Sequence, residues 1–208
     1  MPPNPMKTSL RDGTSVLIRP VGPDDRHLLE VAFAHLSKQS RYFRFLYPVN
    51  QLSKQQLDQF TEGLHRDHVA LGALDVSQPE PVPVGLARYE RLQAQPEMAE
   101  FAVTVVDSHQ KRGLGSLLIG ALAALAVTND IKEFVGFVHG DNGTMIRLLK
   151  ALGATQRNTD AGVVELLIPL YVDAELYPVT PAGLSIRQAY KLTHASADAL
   201  PPGGDTYI

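Results

Sequence analysis

One short stretch of the chain has the sequence Gln110-Lys111-Arg112-Gly113-Leu114-Gly115-Ser116. It follows a Val- and Phe-rich run at 98–106, which is typical of a buried strand, and it leads into an apolar run at 114–127, which predicts a buried helix. Two glycines at the start of a helix let the backbone approach a ligand closely, and the free N–H groups there carry partial positive charge. Because Lys111 and Arg112 add further positive charge, the stretch predicts a site for a pyrophosphate.

The glycine spacing alone leaves another interpretation open, a strand-to-helix turn that needs glycine only for tight packing. The stretch is not a Walker loop, which has a longer glycine spacing and ends in Gly-Lys-Ser/Thr. It is not the dinucleotide fingerprint either, because Leu118 stands where that pattern has its third glycine. An adenine-nucleotide-binding protein that uses the turn 113–115 is a further alternative.

Strands alternate with helices along most of the chain. Patterns typical of strands occupy residues 16–19, 68–74, 83–91, 98–106, 134–139 and 163–168. Helical spacing of apolar residues is found at 28–36, 57–60, 114–127 and 145–152. The alternation after residue 98 favours an α/β sheet with at least one crossover connection. We predict one domain at 1–175, followed by a C-terminal arm at 176–208 that wraps the domain or a partner, or is extended or partly disordered.

The composition narrows the class of protein. The formal net charge of −3 provides no electrostatic footprint for nucleic-acid binding, and the absence of cysteine excludes disulfides, thiolate catalysis and cysteine zinc sites. The proline-rich start at 1–5 has no apolar core typical of a secretory signal, and the most apolar run is too short to span a bilayer. We therefore expect a soluble cytoplasmic protein without a nucleic-acid or membrane partner, and we leave open a homodimer.

Two motifs resemble those of a known family. Gln110-x-x-Gly113-x-Gly115 resembles the Gln/Arg-x-x-Gly-x-Gly/Ala motif of the GNAT superfamily of N-acetyltransferases, which cradles the pyrophosphate of coenzyme A. The segment 142–154 is similar to the family's later helix, in which an asparagine follows the fifth strand and the helix ends in a Leu-Gly-Phe-like turn. The resemblance implies an α/β (α+β) GNAT fold, with a mixed, mostly antiparallel sheet flanked by helices and acetyl-CoA in a cleft between strands 4 and 5.

The first half of the chain is similar, more narrowly, to bacterial protein-lysine acetyltransferases of the Pat type. The segments that carry this likeness are 11–14, 18–20, 40–45 and 99–103. In that group the acetyltransferase is usually joined to an acyl-CoA-synthetase-like or cyclic-nucleotide-binding domain, for which these 208 residues leave no room. The acceptor of that group therefore need not carry over.

The resemblance also implies a catalytic residue. Acyl transfer to an amine needs a carboxylate that takes the ammonium proton, directly or through water. Glu100 is the only acid in the run 98–106 and resembles the catalytic glutamate of several GNAT enzymes, so we predict that it is the general base. A solvated or salt-bridged strand-end glutamate is the alternative.

The same resemblance assigns residues to acetyl-CoA. Backbone groups of the splayed fourth strand pair with the pantetheine arm, and one N–H polarises the thioester carbonyl. The residues assigned to the cofactor are Val103, Thr104, Val105, Gln110, Lys111, Arg112, Gly113, Leu114, Gly115, Ser116 and Asn142. Two of them have structural alternatives of similar weight, since Asn142 also suits a helix N-cap and Ser116 a plain first-turn position.

Other residues limit what can be predicted about a general acid, a metal site and the acceptor site. Leu149 occupies the position of the tyrosine that protonates the leaving thiolate in many GNAT enzymes, so no general acid is assigned. The histidines lack metal-site spacing, and no metal is predicted. His139 and the aromatic segment 42–45 are either acceptor-site or structural residues. The sequence thus predicts acetyl transfer from acetyl-CoA to a primary amine, on a protein lysine or a small molecule, and the alternative is a non-catalytic acyl-CoA sensor or scaffold.

Overall fold

The computed structural model describes the backbone of residues 3–198 and the side chains as far as residue 195. Its strands are β1 (Met6–Ser9), β2 (Ser15–Pro20), β3 (His68–Asp75), β4 (Val82–Leu92), β5 (Gln95–Val105), β6 (Glu133–His139), β7 (Thr155–Asp160) and β8 (Val163–Pro169). Its helices are α1 (Arg26–Ala34), α2 (Lys38–Phe45), α3 (Lys54–Phe60), α4 (Leu114–Thr128), α5 (Gly143–Ala151) and α6 (Pro181–Asp198). Within this part of the chain, no helix is both long and apolar enough to cross a membrane.

The described strands form one mixed sheet of eight strands in the order β1-β2-β3-β4-β5-β6-β8-β7. Every neighbouring pair is antiparallel except β5 and β6, which are joined by the crossover through α4. This arrangement confirms the predicted mixed, mostly antiparallel sheet. The predicted strands 4 and 5 are β5 and β6, because the N-terminal strand β1 was not predicted.

The two unpredicted strands lie at the opposite edges of the sheet. β7 is polar throughout and fully exposed, and β1 has only four residues. An edge strand with a polar surface lacks the alternating apolar pattern by which strands are recognised in sequence. Pairing with β2 and β8 therefore defines these strands, rather than their own sequence.

α4 is the central helix of the fold. Eleven of its fifteen residues are buried, as expected for a helix that is apolar on all sides and lies between two layers. It packs on β3, β4 and β5 on one side and on α6 on the other. The predicted buried helix at 114–127 corresponds to this element.

The C-terminal segment differs from the prediction of an extended or partly disordered arm. Residues 181–198 form the helix α6, which buries Ile186, Ala189 and Tyr190 against the core. The prolines in the described part of this segment lie before the helix or at its first position, where proline is compatible with helical geometry. The remainder of the predicted arm, 199–208, lies outside the described residues.

The close approach of α6 to α4 depends on Gly120. A Cβ atom at this position would lie 2.8 Å from Cα of Ile186 and 2.8 Å from Cβ of Ala189. We expect Gly120→Val to lower the free energy of unfolding by about 1–3 kcal/mol, because overpacking forces the helices apart. Urea unfolding measures this change, with Thr128→Val on the exposed end of α4 as the control. Equal stability of the two variants would contradict the observed packing.

Candidate active site

The sheet opens between β5 and β6. These strands pair only where Met98–Glu100 run beside Glu133–Val135, although β5 continues to Val105 and β6 to His139. Beyond Glu100, the backbone groups of β5 that point toward β6 have no partner strand. The opening forms a cleft of about 870 Å³, large enough for a cofactor.

An aromatic side chain and a glycine pack on each other where the two strands separate. The buried ring of Phe101 stacks on Phe134 with 5.2 Å between ring centroids. A Cβ atom on Gly136 would lie 2.6 Å from this ring, so only glycine fits beneath it. The ring of Phe101, the first residue of β5 beyond this pairing, thus lies over Phe134 and Gly136 of β6.

The glycine turn lies at the wide end of the cleft. Gly113 is the N-cap of α4 and has φ +97°, in the left-handed region that favours glycine. Lys111 also has a positive φ of 62°, which is uncommon for a residue with a side chain and typical of ligand-binding turns. The first backbone hydrogen bond of α4 runs from Leu117 N to Gly113 O at 3.1 Å, so the N–H groups of the first turn have no helical partner.

Most, but not all, of the predicted turn residues line the cleft. Those that do are Gln110, Lys111, Gly113, Gly115 and Ser116, together with Val103, Thr104 and Val105 of β5. Leu114 is instead fully buried in the core. Arg112 is not among the residues that line the cleft, and its Nη1 forms an ion pair with Asp12 at 2.9 Å.

Arg11 lies beside the glycine turn, although the sequence analysis did not assign it to the site. It lines the cleft, its side chain lies 3.3 Å from the position of a Cβ on Gly113, and its Nη2 donates to Pro181 O at 3.0 Å. Arg11 is about a hundred positions before the glycine turn, so no local sequence signal links the two. The backbone hydrogen bond from Arg11 N to Arg112 O, at 3.2 Å, fixes this pairing.

Gln110 has a structural role in addition to its position in the motif. Its Nε2 donates to Val105 O at 3.1 Å and to Ser40 Oγ at 3.2 Å, which ties the end of β5 to α2. Asp107 strengthens the link by accepting hydrogen bonds from Ser37 N, Ser37 Oγ and Ser40 Oγ. Burial acts to raise the pKa of Asp107, but these hydrogen bonds outweigh it and keep the pKa below its usual value.

Asn142 is the N-cap of α5. Its Oδ1 accepts a hydrogen bond from Met145 N at 3.1 Å, and the residue also lines the cleft. Both interpretations left open by the sequence are therefore compatible, because capping uses the oxygen and leaves the Nδ2 donor.

Glu100 is an exposed residue that lines the cleft at the last position where β5 pairs with β6. It forms no ion pair with the described side chains. Glu90 of β4 lies directly opposite, so the two carboxylates share a face of the sheet. The salt-bridged alternative for Glu100 is thus not observed in this part of the chain.

His139 and Leu149, two other positions discussed in the sequence analysis, are packed among side chains of the protein. The ring of His139 lies between Tyr42 and Phe43, with centroid distances of 5.2 and 5.8 Å, and its Nδ1 accepts from Asp141 N. Leu149 is fully buried. No tyrosine is among the described residues that line the cleft, and within residues 3–195 no group of three or more His, Asp or Glu side chains is placed to hold a metal ion.

Residues 15–155 match the family model described as acetyltransferase (GNAT) domain. The chain belongs to the GNAT acetyltransferase family. Its reaction class is therefore acetyl transfer from acetyl-CoA.

Individual relatives agree with this GNAT assignment. The chain is 33% identical over 153 residues to the acetyltransferase PA5475 of Pseudomonas aeruginosa, covering 73% of this chain and 82% of that protein. It is 33% identical over 164 residues to the acetyltransferase Pat of Mycolicibacterium smegmatis, covering 77% of this chain but only 47% of Pat. The crystal structure of the GNAT domain of S. lividans PAT superimposes with a TM-score of 0.72 at 32% identity, covering 80% of this chain and 97% of that one.

The charges in the cleft of this GNAT acetyltransferase fit a coenzyme A molecule. The cations that line it are Arg11, Arg44, Lys111 and Arg147. None of the four forms an ion pair with the side chains described. Arg11 and Lys111 flank the glycine turn and Arg147 lies on α5, so three unpaired cations are available to the phosphates of coenzyme A.

Proposed function

We propose that this GNAT acetyltransferase transfers the acetyl group to a primary amine by direct attack, with Glu100 as the general base. The observation that carries the proposal is the position of Glu100, an exposed carboxylate without an ion-pair partner at the point where the cleft opens. A protein lysine is the first candidate acceptor because of the likeness to Pat-type enzymes, and a small-molecule amine is the second. We place the activity in the cytoplasm, which is consistent with a cysteine-free sequence.

In this mechanism the neutral amine nitrogen attacks the thioester carbonyl carbon. The C–N bond forms, the C–S bond breaks, and the ammonium proton passes to Glu100 directly or through a water molecule. A backbone N–H of Val103–Val105 stabilises the oxygen on which negative charge develops. Leu149 cannot protonate the leaving group, so coenzyme A departs as the thiolate or takes a proton from solvent.

The turn around Gly113 holds the pyrophosphate in this proposal. The free N–H groups of the first turn of α4 and the positive end of its dipole favour an anion there. Arg11 and Lys111 supply charge, and Ser116 contributes a hydroxyl that has no partner among the described residues. Asn142 donates from Nδ2 to the pantetheine arm while its Oδ1 caps α5.

Thermal unfolding with acetyl-CoA, CoA, ATP and NAD in parallel tests the cofactor site. A ligand at about 100 times its Kd adds about 2.7 kcal/mol to the free energy of unfolding, so the Tm rises by several degrees. We expect a rise with acetyl-CoA and CoA alone. An equal rise with ATP would show that the turn binds adenine nucleotides generally and would contradict the assigned site.

Acetylation of amines then tests the acceptor. Acetyl-CoA is incubated with the protein and with lysine peptides or small primary amines, and the acetylated products are measured by mass spectrometry. Formation of an N-acetyl product that depends on enzyme concentration supports amine transfer. Binding of acetyl-CoA without acetylation of any amine in either set would contradict it.

A further inference from the structure

Arg44 is a cation that lines the same cleft as Glu100 and has no hydrogen-bond or ion-pair partner among the described residues. It lies on α2 and lines both the cleft and an adjoining apolar cavity of about 60 Å³. Among the residues described, its guanidinium forms no hydrogen bond or ion pair. The guanidinium carbon is 5.1 Å from the ring centroid of Phe45 and 5.7 Å from that of Phe60, but these rings offer no hydrogen-bond acceptor in their planes.

Two neighbouring arginines, unlike Arg44, have hydrogen-bond partners in the protein. Arg19 lines the same small cavity and makes a bidentate pair with Asp25 at 2.8 and 2.6 Å. Arg41, on the same helix as Arg44, donates to three backbone carbonyl oxygens at 3.0, 3.1 and 3.2 Å. Arg44 is only partly buried and lines the cleft, so the donors of its guanidinium that bond to no described residue are open to a ligand there.

Arg44 keeps its charge at neutral pH. Burial, with the positive charge of Arg88, lowers the pKa of Arg44 to about 10, and the negative charge of Glu100 acts in the opposite direction. Arg88 is itself paired with Glu90 at 3.0 Å. Glu100 influences Arg44 electrostatically without forming an ion pair with it, so the guanidinium remains available.

The phosphates of coenzyme A do not account for this residue. Arg11, Lys111 and Arg147 are the cations at the glycine turn and on α5, where those phosphates are assigned. The guanidinium carbons of Arg44 and Arg88 lie 5.7 and 5.3 Å from the same ring, that of Phe60, and Arg88 stands on β4 opposite Ala102, two residues from Glu100. Glu100 lies five residues before the end of β5, which is roughly 17 Å along the strand. Arg44 therefore belongs to the part of the cleft assigned to the amine acceptor.

We propose that Arg44 binds a carboxylate carried by the same molecule as the acceptor amine. This inference rests on the proposed transfer to an amine near Glu100. The planar guanidinium suits such a group because it can donate two parallel hydrogen bonds to it. The anion is then part of a small amino acid or of an acidic residue next to the acceptor lysine.

Matched acceptors test the proposal with the full chain and acetyl-CoA. One series pairs ω-amino acids of increasing length with their ω-amino amides, and the other pairs N-acetyl-Lys-Glu-amide with N-acetyl-Lys-Gln-amide. We expect kcat/KM to be at least about tenfold higher for the acid of at least one pair, as for a hydrogen-bonded charge. Arg44→Met abolishes this preference and Arg44→Lys restores part of it. A preference for the acid in the first series identifies a small amino acid as the acceptor, and a preference in the second identifies an acidic residue next to the acceptor lysine.

Two results would overturn the proposal. One is equal use of the acid and the amide by the wild-type protein in every pair. The other is an equal loss for both members in Arg44→Met, which would mean that Arg44 acts on Glu100 rather than on the acceptor. If no amine is acetylated, the proposed function fails by itself, and thermal unfolding of the CoA-saturated protein replaces the rate measurement. An acid-specific rise in Tm that Arg44→Met abolishes supports the anion site, and no such rise overturns it.

Stability without an acceptor gives an independent readout. Because Arg44 has no partner in the described chain, we expect Arg44→Met to leave the Tm unchanged or higher. Arg41→Met is the matched control on the same helix and lowers the Tm, because three carbonyl oxygens lose their donor. A fall in Arg44→Met as large as that in Arg41→Met would show that Arg44 already has a structural role and would overturn the proposal.

Discussion

Replacing Glu100 by glutamine is expected to lower kcat/KM for the amine by about 10²–10⁴-fold, the usual contribution of a general base. This corresponds to about 2.7–5.5 kcal/mol of transition-state free energy. The amide has the size of the carboxylate but cannot take a proton, so the Kd for acetyl-CoA should stay nearly unchanged. Steady-state kinetics and a direct binding titration separate the two quantities.

Glu90→Gln is the matched control for this prediction. Glu90 lies directly opposite Glu100 on β4 and is also exposed, but it is not among the residues that line the cleft. We expect its replacement to change kcat/KM by less than about tenfold, since it removes a neighbouring charge and the ion pair of Glu90 with Arg88 but no group that lines the cleft. If both variants lose activity equally, electrostatics rather than proton transfer explains the loss, and Glu100 is not the base.

Gly113→Val is expected to raise the Kd for acetyl-CoA by at least about tenfold and to destabilise the protein by about 1–3 kcal/mol. A β-branched residue strongly disfavours the φ of +97° observed here, so the turn must rearrange and its N–H groups lose their common direction. The new Cβ would also lie 3.3 Å from Arg11 Nε, which displaces the cation beside the turn. Isothermal titration with acetyl-CoA measures the affinity, and urea unfolding measures the stability.

Gly63→Val separates strain from binding. Gly63 follows α3 and has the same φ of +97°, but a Cβ atom there would meet no other atom within 4 Å. The residue is not among those that line the cleft. We expect a similar loss of stability and an unchanged Kd for acetyl-CoA. A weakened affinity in Gly63→Val, equal to that in Gly113→Val, would show that general destabilisation lowers binding and that the turn has no special role.

The sequence by itself identified the crossover unit at the centre of the fold. β5, the glycine turn and α4 are continuous in the chain, and each has a strong local signal: a Val-rich run, two glycines and an all-apolar helix. The same segment contains Glu100 and most of the predicted cofactor residues. These predictions needed no contact between distant parts of the chain.

Only the tertiary structure showed which side chains complete the cleft. Arg112 belongs to the motif and pairs with Asp12, while Arg11, which is distant in sequence, lies beside the turn. The lack of a partner for Arg44 becomes evident only when all surrounding side chains are in place. Charge pairing depends on distances between distant residues, which sequence spacing does not contain.

The two edge strands and α6 also depend on tertiary contacts. β7 is polar throughout and pairs through its backbone with β8, while α6 fits against α4 because Gly120 lets the two helices approach closely. Local sequence patterns show which side of a strand or helix is apolar. Backbone pairing and close helix packing depend instead on the neighbouring strand or helix in the folded protein.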